Sequence, residues 1–332
     1  MNAKVPRVLF VASREFDYLQ DMIFRGLTEV LGEKNIDAIP FNAGYHFPIH
    51  RYPKNLGYFG TPPLSRFFWN PSRIKGYDAV IVGSTKPDTF QAYQEILPKI
   101  QAHQPVVFID GGDFSDVGGD LRRLHAEDLW KEVIRQRPFD FVFKREMVNE
   151  QSYEKNVFPL PFGLHHQITD RPTPILKTYD VSFWAVESHP IRSQVFSLLK
   201  GKFDCDQNGS CAKQVFRKYS RKGEQYLQDL AQTKVSLNFR GVGWDTLRFW
   251  ETFGVGTMMI SQKPAIQIPN DFINGSEVVY LEDGLDSLID QCRYYLDHSD
   301  ERERIAKRGQ QKAQKFHSAK FRAEQVLSKI FG

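Results

Sequence analysis

Residues 238–256 read NFRGVGWDTLRFWETFGVG, a run of aromatics and glycines that carries two arginines and one glutamate. The run suits the binding of a charged ligand better than the interior of a core. KVSLNFR (234–240) reads as a strand, RGVGWD as its exit loop, and LRFWETFGVG as the helix that follows. Asp245 or Thr246 can cap that helix. Gly241 and Gly243 would let the backbone approach a ligand, with Trp244 beside them. The free N–H groups of a first helical turn favour an anion. Arg240 at the strand end and Arg248 in the first turn then form a fork for a di-anionic group such as a diphosphate. Glu251 stands three residues after Arg248 and shares its helix face. A carboxylate accepts hydrogen bonds from two neighbouring hydroxyls, as a ribose offers them. Phosphate and ribose together describe a nucleotide. The alternative is a local Arg–Glu pair on a half-buried helix, worth about 0.3–0.5 kcal/mol.

The elements that must position these residues alternate. RVLFVAS (7–13), IDAIPF (36–41), YDAVIVGS (77–84), QPVVFIDGG (104–112), FDFVFKRE (139–146) and VFPLPFGLH (157–165) are short apolar strands, with amphipathic helices between several of them. QITDRPTPILKT carries two prolines and no period, and the alternation restarts at YDVSFWAV (179–186). The expected fold is α/β, with parallel sheets covered by helices. The expected domains are 1–166, a linker at 167–178, and 179–316, with a last helix at 317–332 that can pack back on the first domain. Two such domains facing across a cleft would present their strand ends, and the loops after them, to a ligand.

Composition narrows the classes. The chain has 332 residues, 41% hydrophobic and 25% charged, with a formal net charge of +4. That charge suits a small anionic ligand and, without a basic tract, gives no nucleic-acid partner. Three cysteines form neither a disulfide framework nor a zinc site. The apolar run near the start is too short for a signal peptide or a membrane span, so a cytoplasmic protein is expected. The aromatic, proline-rich stretch 45–72 reads as a flap or a partner-facing loop, with peripheral membrane contact open to it. Asp204-Cys205-Asp206 is a D-x-D triplet in a polar turn, and a turn is the simpler reading than a metal site.

The run GWDTLRFWETFGVGTMMIS, with the downstream residues Tyr294-Tyr295-Leu296, His298, Glu301-Arg302, Ile305-Ala306 and Gly309, resembles the C-terminal domain of GT-B glycosyltransferases. The likeness is nearest to the spore-maturation-type (CgeB-like) and exostosin-like branches and covers about 235–317. It implies two Rossmann-like domains and a nucleotide-diphosphate sugar donor. Glu251 would bind the ribose, and Arg248 with Arg240 would hold the diphosphate as leaving group. Such a cationic clamp replaces a metal, and no cofactor is implied. The acceptor would be a glycan, a lipid-linked sugar, a protein or a small molecule. A nucleotide-sugar epimerase and a non-catalytic binding module share the fold and remain alternatives. The glutamate pair seven apart that marks many retaining members is missing, because Trp244 stands seven before Glu251. Inverting and retaining chemistry both stay open. An inverting enzyme needs a general base, and Asp113, Asp17 and Glu15 are the candidates, with His46, His50, His165 and His166 behind them.

Overall fold

The computed structural model describes residues 5–46, 52, 71–165, 168, 176–211 and 223–332. Most of the 45–72 stretch, His50, His166 and most of the expected linker lie outside the described residues. The chain divides into two compact units, Met1–Pro161 with Ala319–Gly332, and Phe162–Ser318.

The first unit holds a six-stranded sheet in the order β2-β1-β3-β4-β5-β6. Its strands are β1 (Val8–Val11), β2 (Ile36–Ile39), β3 (Ala79–Val82), β4 (Val106–Asp110), β5 (Phe141–Lys144) and β6 (Val157–Pro159). All pairings are parallel, with Val8 opposite both Ile36 and Ala79. VLFV and AVIV are buried along their whole length, as strands with both faces covered must be. One face packs Leu9, Val11, Val80, Val82 and Phe108 against Phe90 of α2 (Pro87–Ile96) and Val133 of α4 (Glu127–Gln136). A short α3 (Gly119–Arg123), which the sequence pattern does not announce, precedes α4. Helix α1 (Tyr18–Leu31) starts on Asp17, which accepts from the Gln20 N–H, and stops at Gly32 with φ 78°. The last helix, α10 (Ala319–Phe331), lies against α1 within this unit. Gly26 makes the close approach possible, since a Cβ there would sit 2.1 Å from the Ala319 carbonyl oxygen.

The second unit holds a parallel sheet in the order β10-β9-β8-β7. Its strands are β7 (Tyr179–Ser182), β8 (Thr233–Asn238), β9 (Met258–Gln262) and β10 (Val279–Leu281). Around them lie α5 (Pro190–Leu199), α6 (Gly223–Ala231), α7 (Leu247–Gly254), α8 (Leu288–Asp297) and α9 (Ser299–Phe316). β7 is an edge strand, and the polar turn after α5 caps its open side. Asp204 accepts from the Asp180 and Val181 N–H groups, and Asn208 Nδ2 donates to Val181 O. Ser210 Oγ accepts from Phe183 N, and Asp206 accepts from Gly201 N. The D-x-D triplet therefore closes a sheet edge and a turn. Among the described residues no group of three His, Cys, Asp or Glu side chains could hold a metal ion.

The tyrosine- and arginine-rich motif near the end is a packing device. The Tyr294 ring stacks on His298 at 4.0 Å, and its hydroxyl donates to Glu301. Buried Arg302 donates to the Tyr295 and Leu296 carbonyls at the end of α8. Gly309 clears the Glu277 carbonyl, which a Cβ would approach to 2.3 Å. No described helix is long and apolar enough to cross a membrane.

Candidate functional site

β8 alternates. Val235 and Leu237 enter the core, and Ser236 and Asn238 turn the other way. Asn238 Nδ2 donates to Ser261 Oγ on β9, and Asn238 Oδ1 accepts from Thr246 Oγ1 at 2.6 Å. Thr246 is also the residue that caps α7, accepting from Phe249 N. The strand end and the helix start are thus tied through one hydroxyl. Helix α7 buries Phe249, Trp250 and Phe253, and their rings pack with Phe272. That leaves Arg248 and Glu251 to settle elsewhere.

They do not settle on each other. Arg248 Nη2 donates to the Trp184 carbonyl at 2.5 Å, and the guanidinium lies 5.4 Å from the Phe183 ring centroid. Its Nε and Nη1 are buried and have no hydrogen-bond partner among the described residues. Glu251 is 6% exposed and accepts from the Tyr226 hydroxyl of α6 at 3.0 Å. The local ion pair that the spacing allowed is not formed. Each orphaned buried donor costs about 1–3 kcal/mol. A cation held in place with two buried donor nitrogens lacking partners among the described residues has the capacity to bind an anionic acceptor.

The other expected donor ligands separate into kinds. Arg240 does not stand open beside Arg248. Its guanidinium donates to the Val242 carbonyl at 2.9 Å and lies 4.1 Å over the Trp244 ring. It is folded onto its own loop, so the two arginines expected to form one fork are held on different partners. Asp245 is a brace. One oxygen accepts from Phe162 N at 2.6 Å and the other from Trp250 Nε1 at 2.7 Å. Both its oxygens are committed within the protein, which takes it out of the ligand set. Gly241 has a packing reason, since a Cβ would meet Ser188 Oγ at 3.0 Å and Arg192 Nη2 at 3.1 Å. Gly243 accepts from Gly241 N across the loop.

The three candidate bases in the first unit also have partners. Asp17 caps α1 with one oxygen and accepts from Ser84 Oγ at 2.8 Å with the other. Asp113 is ion-paired with buried Arg145. Glu15 pairs with Lys86, whose hydrogen bond and charge lower its pKa and make it a weak proton acceptor. The IDGGD stretch forms a turn, with Asp110 accepting from the Gly112 and Gly118 N–H groups beside buried Lys144. Sequence reasoning missed Asp21, which burial pushes up to about 7. Gln20, Tyr45 and the Asp17 N–H donate to it. It also missed Arg192, Trp184 and Tyr226. Their roles depend on partners tens of residues away, and no local spacing signals them.

Residues 198–328 match a family model described as glycosyl transferase-like. Solved structures match over nearly the whole chain. An alpha-glucosyltransferase in complex with UDP and a mismatched 13-mer DNA aligns at a TM-score of 0.63 and 10% identity, covering 98% of this chain and 100% of that one. HepE from Anabaena, in complex with UDP-glucose, aligns at 0.57 and 9%, covering 98% and 99%. The fold is that of the GT-B glycosyltransferases. An alpha1,3-fucosyltransferase with GDP carries it too, at a TM-score of 0.52 and 14% identity over 99% of this chain and 90% of that one. At such identities these likenesses speak for the fold. The GT-B fold and the family match over the C-terminal part together support glycosyltransferase activity. No curated protein matches the chain.

Proposed function

We propose that this GT-B chain transfers a sugar from a nucleoside diphosphate sugar to an acceptor hydroxyl, without a metal, using Arg248 as the cation on the diphosphate. The observation that carries the reading is the Arg248 guanidinium, held by Trp184 O with Nε and Nη1 buried and open. In glycosyl transfer the acceptor oxygen bonds to the anomeric carbon and gives its proton to a base or to water, while the bond between that carbon and the β-phosphate oxygen breaks and its electron pair leaves with the diphosphate. A guanidinium already fixed beside that oxygen stabilises the charge as it develops, without reorganising. Arg248 takes this role alone, since Arg240 is folded onto Trp244. Glu251, with Tyr226 donating to it, is the acceptor for the ribose hydroxyls, and Thr246 fixes the start of α7 between them and the strand.

The sequence likeness of 235–317 to the spore-maturation-type (CgeB-like) and exostosin-like branches is part of this proposal. UDP and GDP are the nucleotides found in the three neighbours named above, so they are the first probes. DNA is bound by the alpha-glucosyltransferase. A net charge of +4 without a basic tract argues for a glycan, lipid-linked, protein or small-molecule acceptor here. Thermal unfolding with UDP, GDP and a panel of nucleotide sugars tests the proposal. At least one should raise the midpoint of the wild type and leave Arg248→Ala and Glu251→Ala unmoved. A wild type indifferent to the whole panel refutes it.

A further inference from the structure

His189-Pro190-Ile191-Arg192 opens helix α5. His189 is the cap, its Nδ1 accepting from Ile191 N at 3.3 Å. Burial, then the charges of Arg240 and Arg192, lower its pKa, which suits a neutral ring with an accepting Nδ1. Proline at the first helical position fixes the entry. Arg192 follows in the first turn, and its side chain runs back along the helix towards the strand ends. It is 7% exposed.

Its donors go to two loops at once. Nη1 donates to Val186 O at 2.7 Å and to Ser188 Oγ at 3.0 Å, both in the loop after β7. Nε donates to Arg240 O at 2.9 Å, and Nη2 to Phe239 O at 3.0 Å, both in the loop after β8. The first loop also carries Trp184, whose carbonyl fixes Arg248. The second carries Gly241, whose lack of a Cβ leaves room for Arg192 Nη2. Only a planar fork reaches carbonyls on both sides in this way, and a lysine ammonium does not reproduce it.

We propose that Arg192 is a positioning residue for the donor site, locking the loops after β7 and β8 together so that Arg248 meets the diphosphate in register. The proposal rests on the reading of Arg248 given above. Losing one charge-assisted hydrogen bond through misalignment is worth on the order of 10- to 100-fold in binding. Arg192→Ala and Arg192→Lys should therefore each weaken the affinity for UDP or GDP on the order of 10- to 100-fold, read by calorimetry. Millimolar guanidinium should recover most of the affinity of Arg192→Ala and change neither the wild type nor Arg192→Lys. Gly241→Ala presses a Cβ on the same contact from the opposite side and serves as the second variant if Arg192→Ala fails to fold. It should weaken binding similarly.

The outcomes separate. If the wild type binds neither nucleotide, the reading of the site fails and this inference with it. If Arg248→Ala loses binding while Arg192→Lys and Gly241→Ala bind as the wild type does, only the positioning role is overturned. Lower melting temperatures in the Arg192 variants with unchanged affinity overturn it equally, since they mark a purely structural residue.

Discussion

Replacing Arg248 with methionine sets stability against binding in one substitution. In the free protein the guanidinium carries two buried donors without partners among the described residues. Removing them relieves about 2–6 kcal/mol, at about 1–3 kcal/mol for each orphaned donor. The same change deletes the charge-assisted bond to Trp184 O, worth about 1.5–3 kcal/mol. The methionine stem keeps much of the packing on Phe183. The opposing terms leave Arg248→Met within about 2 kcal/mol of the wild type or more stable than it. Breaking a satisfied buried pair would instead cost about 3–5 kcal/mol. For a unit of this size 1 kcal/mol moves the midpoint by about 2–4 °C. Differential scanning calorimetry of the free proteins should place the variant no more than about 8 °C below the wild type. Saturating nucleotide, at about 100 times Kd, adds about 2.7 kcal/mol to the wild type. It should add nothing to Arg248→Met. A drop beyond about 10 °C in the free variant means that Arg248 has a further partner inside the protein besides Trp184 O, and a retained nucleotide shift means that it does not hold the nucleotide. Either result refutes the reasoning.

Two more perturbations probe the first unit. Asp21 has its carboxyl raised by burial from the ordinary 3.8 to about 7, so its contribution to stability is intact below pH 4 and is lost as pH rises towards 7. Above pH 7 the accumulated loss is about 4 kcal/mol, and urea denaturation should show wild-type stability falling by about 1.4 kcal/mol per pH unit across that window relative to Asp21→Asn. Parallel profiles for the two proteins would dispose of the idea. Gly26→Leu would drive a side chain into the Ala319 carbonyl and the Ala323 methyl, so α10 should leave α1. Hydrogen exchange in 319–331 should rise and the midpoint fall, by about 3 kcal/mol or more for so severe an overlap. Unchanged protection of that helix would contradict the packing.

Much of the fold was legible because its strands are short apolar runs buried on both faces, a pattern that survives any detail of packing. The strands end earlier than the apolar runs do. Ala12 and Ser13 continue RVLFV in composition, yet β1 stops at Val11, because pairing with β2 ends where the chain turns away at Ile39. The helix that carries Arg248 and Glu251 was legible from its cap and glycine stop. The fates of its neighbours were not. Asp245 looks like a cap or a ligand and is a brace to Phe162, 83 residues away. Arg192 looks like any arginine on a surface helix and joins two loops from beneath. Long-range partners decide both cases, and local spacing carries no trace of them. The matching motif at 294–309 was informative for a different reason than its polar residues suggest. Tyr294, Glu301 and Arg302 hold two helices together, so their role in this chain is packing.

The two arginines of the opening stretch show how one residue type divides between structure and chemistry. Arg240 has its Nε and Nη2 on loop carbonyls and its face on Trp244, so in the free protein it shapes its own loop. Arg248 has one donor anchored and two left over. Anchoring at Trp184 fixes the direction of the guanidinium, and the leftover donors make its free state costly. On the proposed reading, a diphosphate that satisfied both would remove that cost on binding, in addition to the charge attraction. On that reading, part of the affinity would be stored in the free protein as unsatisfied donors. The same interaction should tighten further as charge moves onto the leaving oxygen, which is the condition for a binding group to accelerate the transfer as well as hold the donor.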